Sequence, residues 1–513
     1  MPNYDVTLTG VYQKQNIPPS IVNPGAQEAM VGVVFSLPLA ITGATTVAVS
    51  GLPKGLQYNT GAKSVMGVPK ASVTNQVVTI VAKNETATVK QTFLMTVEGL
   101  PIWALGDFNG WVTDERLGSG VAVMSVTAQG KMSGKFSLGG TNYSFSTSSY
   151  SNGYLIAAVA SSGRSKKALS LTVHQPTEEG SPITLGIAEG QVGDPLAGED
   201  SVIVLFRNVW KDDGFSAVVS NYVGYYTAAQ PGNNAYGSGY LTFTADKTGK
   251  VKTSGKMADG TAISFSGVLI LDATGEVSTV VYAAPPAYKG GSLFGRARFV
   301  SLMGEEVFLQ PFAGQPFLWK NLNPQATSVY GEGFERELGL KGGWYSKTGD
   351  LYEYYANKNL SLGTDEDAND PELIVGTNRY AAVEWRADGI AVTPVFGSGA
   401  MSGMTAPVAG KPTDADKDGV WDYSDTNSVG LKFALTRATG LFKGSFRAWF
   451  DYPPQKHVSK NLSFVGALTP VREDPDDGIE GRGYFLWPDT ARVSSTGKTY
   501  KFNVTYDFLL LSE

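Results

Sequence analysis

Glycine falls at the ends of short alternating segments along most of this sequence, and that punctuation limits what the chain can fold into more than any other feature. With 61 Gly and 26 Pro in 513 residues, a long helix would repeatedly meet a residue that disfavours it, at a cost of about 1 kcal/mol for each Gly and 3 for each Pro. Short strands joined by turns carry no such cost. Apolar residues at 42% and aromatics at 11% supply cores, so wholesale disorder is excluded. At about 150 residues per domain the length predicts roughly three domains. The expected fold class is all-β, built of antiparallel sandwiches or barrels.

The glycines recur in a weak internal repeat. Gly118-Ser119-Gly120-Val121 leads through Gly130-Lys131 and Gly134-Lys135-Phe136 to Tyr143-Ser144-Phe145-Ser146. Gly237-Ser238-Gly239-Tyr240 leads through Gly249-Lys250 and Gly255-Lys256 to Ile263-Ser264-Phe265-Ser266-Gly267. Val429-Gly430-Leu431-Lys432-Phe433 leads through Gly440-Leu441-Phe442 and Gly444-Ser445-Phe446 to Leu462-Ser463-Phe464-Val465-Gly466. Each copy reads as three strands separated by glycine turns, so duplicated antiparallel meanders are predicted. The second and third copies stand further apart than the first and second, which places an insertion or a degraded unit within 300–420. The domains expected are a terminal strand at 1–16, a first domain at 17–99 and β units at 100–215, 216–320 and 321–513, the last holding the insertion and the acidic run at 414–425. The likeness extends in style to large repeat-bearing surface proteins of environmental bacteria.

Residues 17–99 hold the most readable module. Gly51-Leu52-Pro53-Lys54-Gly55-Leu56 is followed by a hairpin at 59–63 and by Met66-Gly67-Val68-Pro69, then by strand patterns at 77–82 and 92–97. Gly-Leu-Pro makes a tight bend, the leucines return to the core and Gly-x-Pro ends the next strand. This pattern resembles the bacterial Ig-like domain, and the resemblance implies an N-terminal Ig-like sandwich at 17–99, followed by the antiparallel β-barrel or sandwich repeats, that serves as an extracytoplasmic spacer. The hairpin lacks that family's usual aspartates, so no metal role is expected there.

Both ends read as strands in need of partners. Tyr4, Val6 and Leu8 alternate with Asp5, Thr7 and Thr9, and Phe502, Val504, Tyr506 and Phe508 alternate with Asn503, Thr505 and Asp507. Pairing within the chain is the plain expectation; self-association through a terminal strand is the alternative. Three local readings follow from shorter patterns. Asn109-Gly110 predicts a hairpin turn. Residues 334–363 predict two strands and a turn, because Gly342-Gly343-Trp344-Tyr345 breaks any helical period. Ser495-Thr496-Gly497-Lys498-Thr499 lacks the upstream Gly of a phosphate loop and predicts another hairpin turn.

Function classes narrow by exclusion. With 41 Lys plus Arg against 47 Asp plus Glu, the chain carries a formal charge of −6 and no basic excess, so nucleic acid is not an expected partner. Zero cysteine removes disulfides, thiolate nucleophiles and thiolate metal sites. The two histidines, His174 and His457, sit in no nucleophile-elbow setting, and a histidine-based zinc site is excluded by number. No apolar run reaches the ~18 residues of a membrane span. Residues 1–4 carry neither a basic nor an apolar leader segment, so an exported protein would have its signal peptide outside this sequence.

The sharpest motif is Asp414-Ala415-Asp416-Lys417-Asp418-Gly419-Val420-Trp421-Asp422-Tyr423-Ser424-Asp425. Alternate carboxylates converge on one point, Gly419 permits the sharp turn and Val420 offers its carbonyl, the arrangement that a hard cation taking about six to eight oxygens needs. Position 12 is Asp425 where an EF-hand has Glu, and no amphipathic helices flank the loop. The spacing resembles the thrombospondin type 3 calcium repeat in a single copy, which implies Ca²⁺ held by Asp414, Asp416, Asp418, Val420, Asp422 and Asp425. The runs at 365–372 and 473–478 lack this spacing and read as solvated loops. Trp344-Tyr345, Trp385, Trp421 and Trp449 offer faces for sugars, although β cores claim most such rings.

The function expected is a non-enzymatic structural or adhesive protein, exported to a bacterial cell surface or matrix and stabilised by calcium, with a glycan or another surface protein as partner. The alternative is a secreted carbohydrate-binding or carbohydrate-active protein, since paired carboxylates are set by space and not by spacing.

Overall fold

The computed structural model describes residues 17–114, 118–151, 153–193, 201–232, 237–301, 306–323, 333–347, 355, 358–363, 372–375, 378–381, 389–397, 400–410, 413–418, 422, 426–452, 456–471, 477–493 and 499–512. The protein is all-β, with one short helix, Phe215–Ser220, among the described residues.

The first unit packs two sheets over one core. One sheet runs in the order Gln27–Met30, Thr88–Glu98, Val73–Lys83, Thr46–Ser50, its first pair parallel and the others antiparallel. The other runs Phe35–Pro38, Ser64–Gly67, Leu56–Asn59. Val65, Val78, Ile80 and Met95 are fully buried between them. Gly55 of the Gly-Leu-Pro-x-Gly-Leu pattern and Gly67 of the Gly-x-Pro pattern are held by contact: a Cβ on Gly55 would stand 2.1 Å from the Val68 carbonyl oxygen, and one on Gly67 2.3 Å from that of Gly55.

The second unit is a closed barrel of eight consecutive antiparallel strands, from Gly106–Thr113 to Ser201–Arg207, the last pairing with the first. Closure leaves no open edge and buries one face of every strand. Phe108, Met124, Phe136, Ile156, Leu171 and Leu205 fill the interior. Asn109-Gly110 is not the hairpin turn that the dipeptide predicts. Both residues lie inside Gly106–Thr113, where the paired strand Ser201–Arg207 passes so close that a Cβ on Gly110 would meet the Val204 carbonyl oxygen at 1.9 Å. Glycine here serves close backbone approach.

The third and fourth units are barrel-like sheets. The third has eleven strands, and its end strand Ala262–Val268 approaches Val277–Ala283 near the other end, where the Thr279 hydroxyl donates to the Val268 carbonyl oxygen at 2.9 Å. Strands Phe334–Leu338 and Lys341–Trp344, grouped with the last unit in the sequence reading, belong to this sheet instead. Gly342 and Gly343 do not break a strand. They form one that fits between Gly224–Gln230 and Val307–Pro311, and a Cβ on Gly342 would stand 2.2 Å from the Thr227 carbonyl oxygen. Residues 348–354 lie outside the described residues. The fourth sheet has eight strands around a cluster of Phe442, Phe446, Phe464, Phe485 and Phe508, with Phe464 stacked on Phe508 at 3.7 Å.

The three repeat copies fold as the same meander: Gly120–Val126, Met132–Leu138 and Thr141–Thr147; Gly239–Ala245, Lys250–Lys256 and Ala262–Val268; Lys432–Thr436, Leu441–Tyr452 and Lys456–Leu468. The first hairpin turns of the first two copies share one chemistry, which a hairpin outside the copies repeats. Thr127 Oγ1 accepts the Lys131 N–H, and Asp246 Oδ1 accepts from Thr248 N, Thr248 Oγ1 and Lys250 N. Asp272 repeats the Asp246 pattern with Thr274 and Glu276. In each turn a glycine at positive φ follows, at 130, 249 and 275, as a three-residue hairpin loop requires.

Of the two terminal strands, the one at 4–9 lies outside the described residues. Thr499–Ser512 is an interior strand, paired with Ile479–Val493 on one side and Leu360–Gly363 on the other. Among the described residues no helix is long and apolar enough to cross a membrane.

Candidate functional site

The acidic loop is tied at its base. Thr413 and Asp422 form an antiparallel bridge, with Asp422 N to Thr413 O at 2.6 Å and Thr413 N to Asp422 O at 3.0 Å. Asn427, completely buried, clamps the chain on both sides: its amide donates to Pro407 O at 2.8 Å and Leu431 O at 3.1 Å, while its oxygen accepts Leu431 N at 2.7 Å. Within this closed segment Asp414, Asp416 and Asp418 each bring a carboxylate oxygen within 4.8 Å of the others. Asp414 Oδ1 is shielded from solvent and finds no donor among the described residues.

A buried carboxylate oxygen without a donor is costly unless a cation meets it. The donor set is all oxygen and anionic, which fits a hard cation such as Ca²⁺. Asp422 contributes differently from its neighbours, since its Oδ2 accepts the Ala415 N–H at 3.3 Å and braces the loop. Val420 and Asp425 lie outside the described residues, as does the run at 365–371.

His174 lies on the exposed outer face of the closed barrel, its Nε2 3.0 Å from Glu189 Oε1. An exposed pair of this kind adds little stability. The side chain of His457 lies outside the described residues, as do Trp385 and Trp421. Of the other aromatics, Tyr345 is buried and donates to Arg437 O at 2.6 Å, and Trp344 packs on the core of the third unit. Arg447 stands over Trp449 at 5.4 Å. These rings serve packing more than display.

Two further features carry no local sequence motif. At the junction of the closed barrel and the third unit, the Arg296 guanidinium is held between Trp111, at 3.9 Å, and Phe312, at 3.4 Å. Burial lowers its pKa to about 10, against the opposing pull of Asp272 and Glu276. Beside the same junction opens a cleft of about 550 Å³ whose lining includes Lys135, Lys211 and Lys250. These lysines are far apart in sequence, and only strand register and docking of the two units bring them together.

No family model matches the chain, and no curated protein matches it. Among solved structures it is similar to a quinonprotein alcohol dehydrogenase-like protein from Bacteroides thetaiotaomicron at 9% identity, covering 96% of this chain and 99% of that one. The TM-score is 0.14, and at that level the likeness carries no argument about fold or activity.

Proposed function

We propose that this protein is a non-enzymatic structural or adhesive component exported to a bacterial surface or matrix, in which residues 17–99 form an Ig-like spacer and Ca²⁺ stiffens the loop at 414–425. The observation that carries the reading is the interlocking of successive units by buried groups rather than by loose linkers. Tyr150 N donates to Gly32 O at 2.8 Å, binding the first unit to the barrel, and its hydroxyl donates to Ala104 O at 2.6 Å in the segment that connects them. Trp210 Nε1 donates to Leu269 O at 2.6 Å, binding the barrel to the third unit. Thr227 Oγ1 donates to Leu468 O at 2.6 Å, binding the third unit to the fourth. Interfaces between domains that move are usually small and polar, whereas buried hydrogen bonds and packed aromatics suit a part that transmits load.

Thermal unfolding in Ca²⁺ and in EDTA tests the metal, and fractionation of producing cells tests the compartment. The expected results are a higher Tm with Ca²⁺, lost in D414N/D416N, and recovery in the surface or medium fraction. Identical melting curves overturn the calcium role, and recovery in the cytosol overturns the exported scaffold.

A further inference from the structure

The cleft between the closed barrel and the third unit is built on an outer barrel face. Strands Gly106–Thr113, Gly120–Val126, Met132–Leu138 and Thr141–Thr147 turn Phe108, Met124 and Phe136 inward. Their outward residues fall in rows fixed by register: Asn109, Val123, Lys135 and Ser144 in one, Asp107, Ser125 and Ser133 in the next. Such a face is ordinarily open to water. Here Asn208 and Lys211, just past the barrel, and Thr248 and Lys250, on a hairpin of the third unit, close over it.

The charge in this cleft runs against that of the molecule. The lining holds three lysines and one carboxylate, Asp107, in a chain whose formal charge is −6. A concave site lined by one sign of charge and walled by protein concentrates oppositely charged ligands. Asp246 lies beside Lys250 and offsets part of its charge, so Lys135 and Lys211 carry most of the attraction.

The polar groups are suited to hydroxyls. Asn208 Oδ1 accepts the Trp210 N–H at 3.1 Å, which orients its NH₂ as a donor, while Asn208 N donates to Asp107 O at 2.7 Å and fixes the rim to the barrel. Asn109, Ser125 and the Asp107 carboxylate add donors and acceptors on the floor. Among the described residues no arginine fork lines the cleft to grip a phosphate, and the ring of Phe108 is buried inside the barrel with no face left for a base to stack on.

We propose that this cleft binds an acidic saccharide, with a carboxylate or sulfate group between Lys135 and Lys211 and sugar hydroxyls on Asn109, Ser125 and Asp107. The proposal goes beyond the scaffold reading and uses none of the residues of the acidic loop. It is tested by calorimetric titration of the full chain in EDTA with an oligogalacturonate, a sulfated oligosaccharide, a neutral malto-oligosaccharide and inorganic sulfate.

Saturable binding of at least one acidic oligosaccharide is expected, with the neutral one and sulfate alone at least about tenfold weaker. K135Q/K211Q weakens the acidic ligand at least about tenfold, while K54Q/K90Q, exposed lysines of the first unit, leaves it unchanged. In the wild-type chain the same ligand protects Lys135 and Lys211 from amine acetylation, a readout that does not depend on a variant folding. Absence of saturable acidic binding, equal binding of the neutral sugar or of sulfate alone, an unaffected K135Q/K211Q, or equal loss in K54Q/K90Q overturns the proposal.

Discussion

The carboxylate of Asp507 accepts the backbone N–H of Ser238 at 2.7 Å with one oxygen, and its other oxygen lies 3.4 Å from Arg482 Nη1. Asp507 is 2% exposed, although its strand also buries Phe508 on the opposite face. One face of Thr499–Ser512 closes the aromatic core of the fourth unit, and the other receives the third unit, with Thr505 Oγ1 accepting Gly237 N at 3.2 Å. D507A leaves the largely buried Arg482 guanidinium without this carboxylate and Ser238 N with the Gly483 carbonyl oxygen, at 3.1 Å, as its remaining acceptor. It is expected to lower stability by about 3 to 5 kcal/mol in guanidinium denaturation, with D507N, which keeps an acceptor, losing less.

A second prediction concerns the join between the first unit and the barrel. Gly32 and Gly130 meet backbone to backbone: a Cβ on Gly32 would stand 2.5 Å from Gly130 Cα, and one on Gly130 2.4 Å from Gly32 Cα. Both have φ near the left-handed region, at +75° and +77°. G32A and G130A are each expected to cost about 1 to 3 kcal/mol and to hasten proteolytic release of the first unit, while G25A, with open space around it, leaves release unchanged.

Asn427 holds both feet of the acidic loop, so its effect on calcium is indirect. N427A is expected to destabilise the fourth unit by about 2 to 3 kcal/mol, because Pro407 O and the Leu431 backbone lose buried partners. It is also expected to weaken Ca²⁺ binding without removing a ligand. Calorimetric titration separates this from D414N, which abolishes binding with little change in stability measured in EDTA.

Asp259 gives a pH signature. Burial raises its carboxyl above the ordinary value of 3.8, against hydrogen bonds from Thr261 N at 2.8 Å and Tyr288 OH at 3.2 Å. The folded state therefore holds this proton more tightly than the unfolded one. The associated stabilisation is complete below 3.8 and is lost as pH rises through the raised folded value, so above it the charged carboxylate carries the full penalty. The difference in stability between wild type and D259N is expected to shift against the wild type over that window and stay constant above it. A flat difference from pH 3 to 7, about the span in which carboxylates titrate, argues against the burial effect.

Much of this architecture was legible in the sequence because turn chemistry is local. Asp246-Lys247-Thr248-Gly249-Lys250 and Asp272-Ala273-Thr274-Gly275-Glu276 each specify a hairpin through their own side chains and a glycine, whatever lies elsewhere. The spacing of Asp414, Asp416 and Asp418 likewise placed three carboxylates together, since neighbours along a tight loop need no distant partner. Glycine misled where its role was contact between strands. Gly110 and Gly342 read as turn or break, yet each marks a strand pressed against another that is distant in sequence.

The sequence by itself determined strand content, the repeated meander and the acidic loop, all of which follow from residues within a few positions of one another. Only the tertiary structure decided that eight strands close into a barrel, that Lys341–Trp344 joins the third sheet, and that Thr505 and Asp507 face a neighbouring unit instead of water. The same holds for the cleft that gathers Lys135, Lys211 and Lys250. These outcomes depend on strand pairing and on the docking of whole sheets. The free energy of both comes from surfaces assembled across hundreds of residues, and no local pattern encodes them.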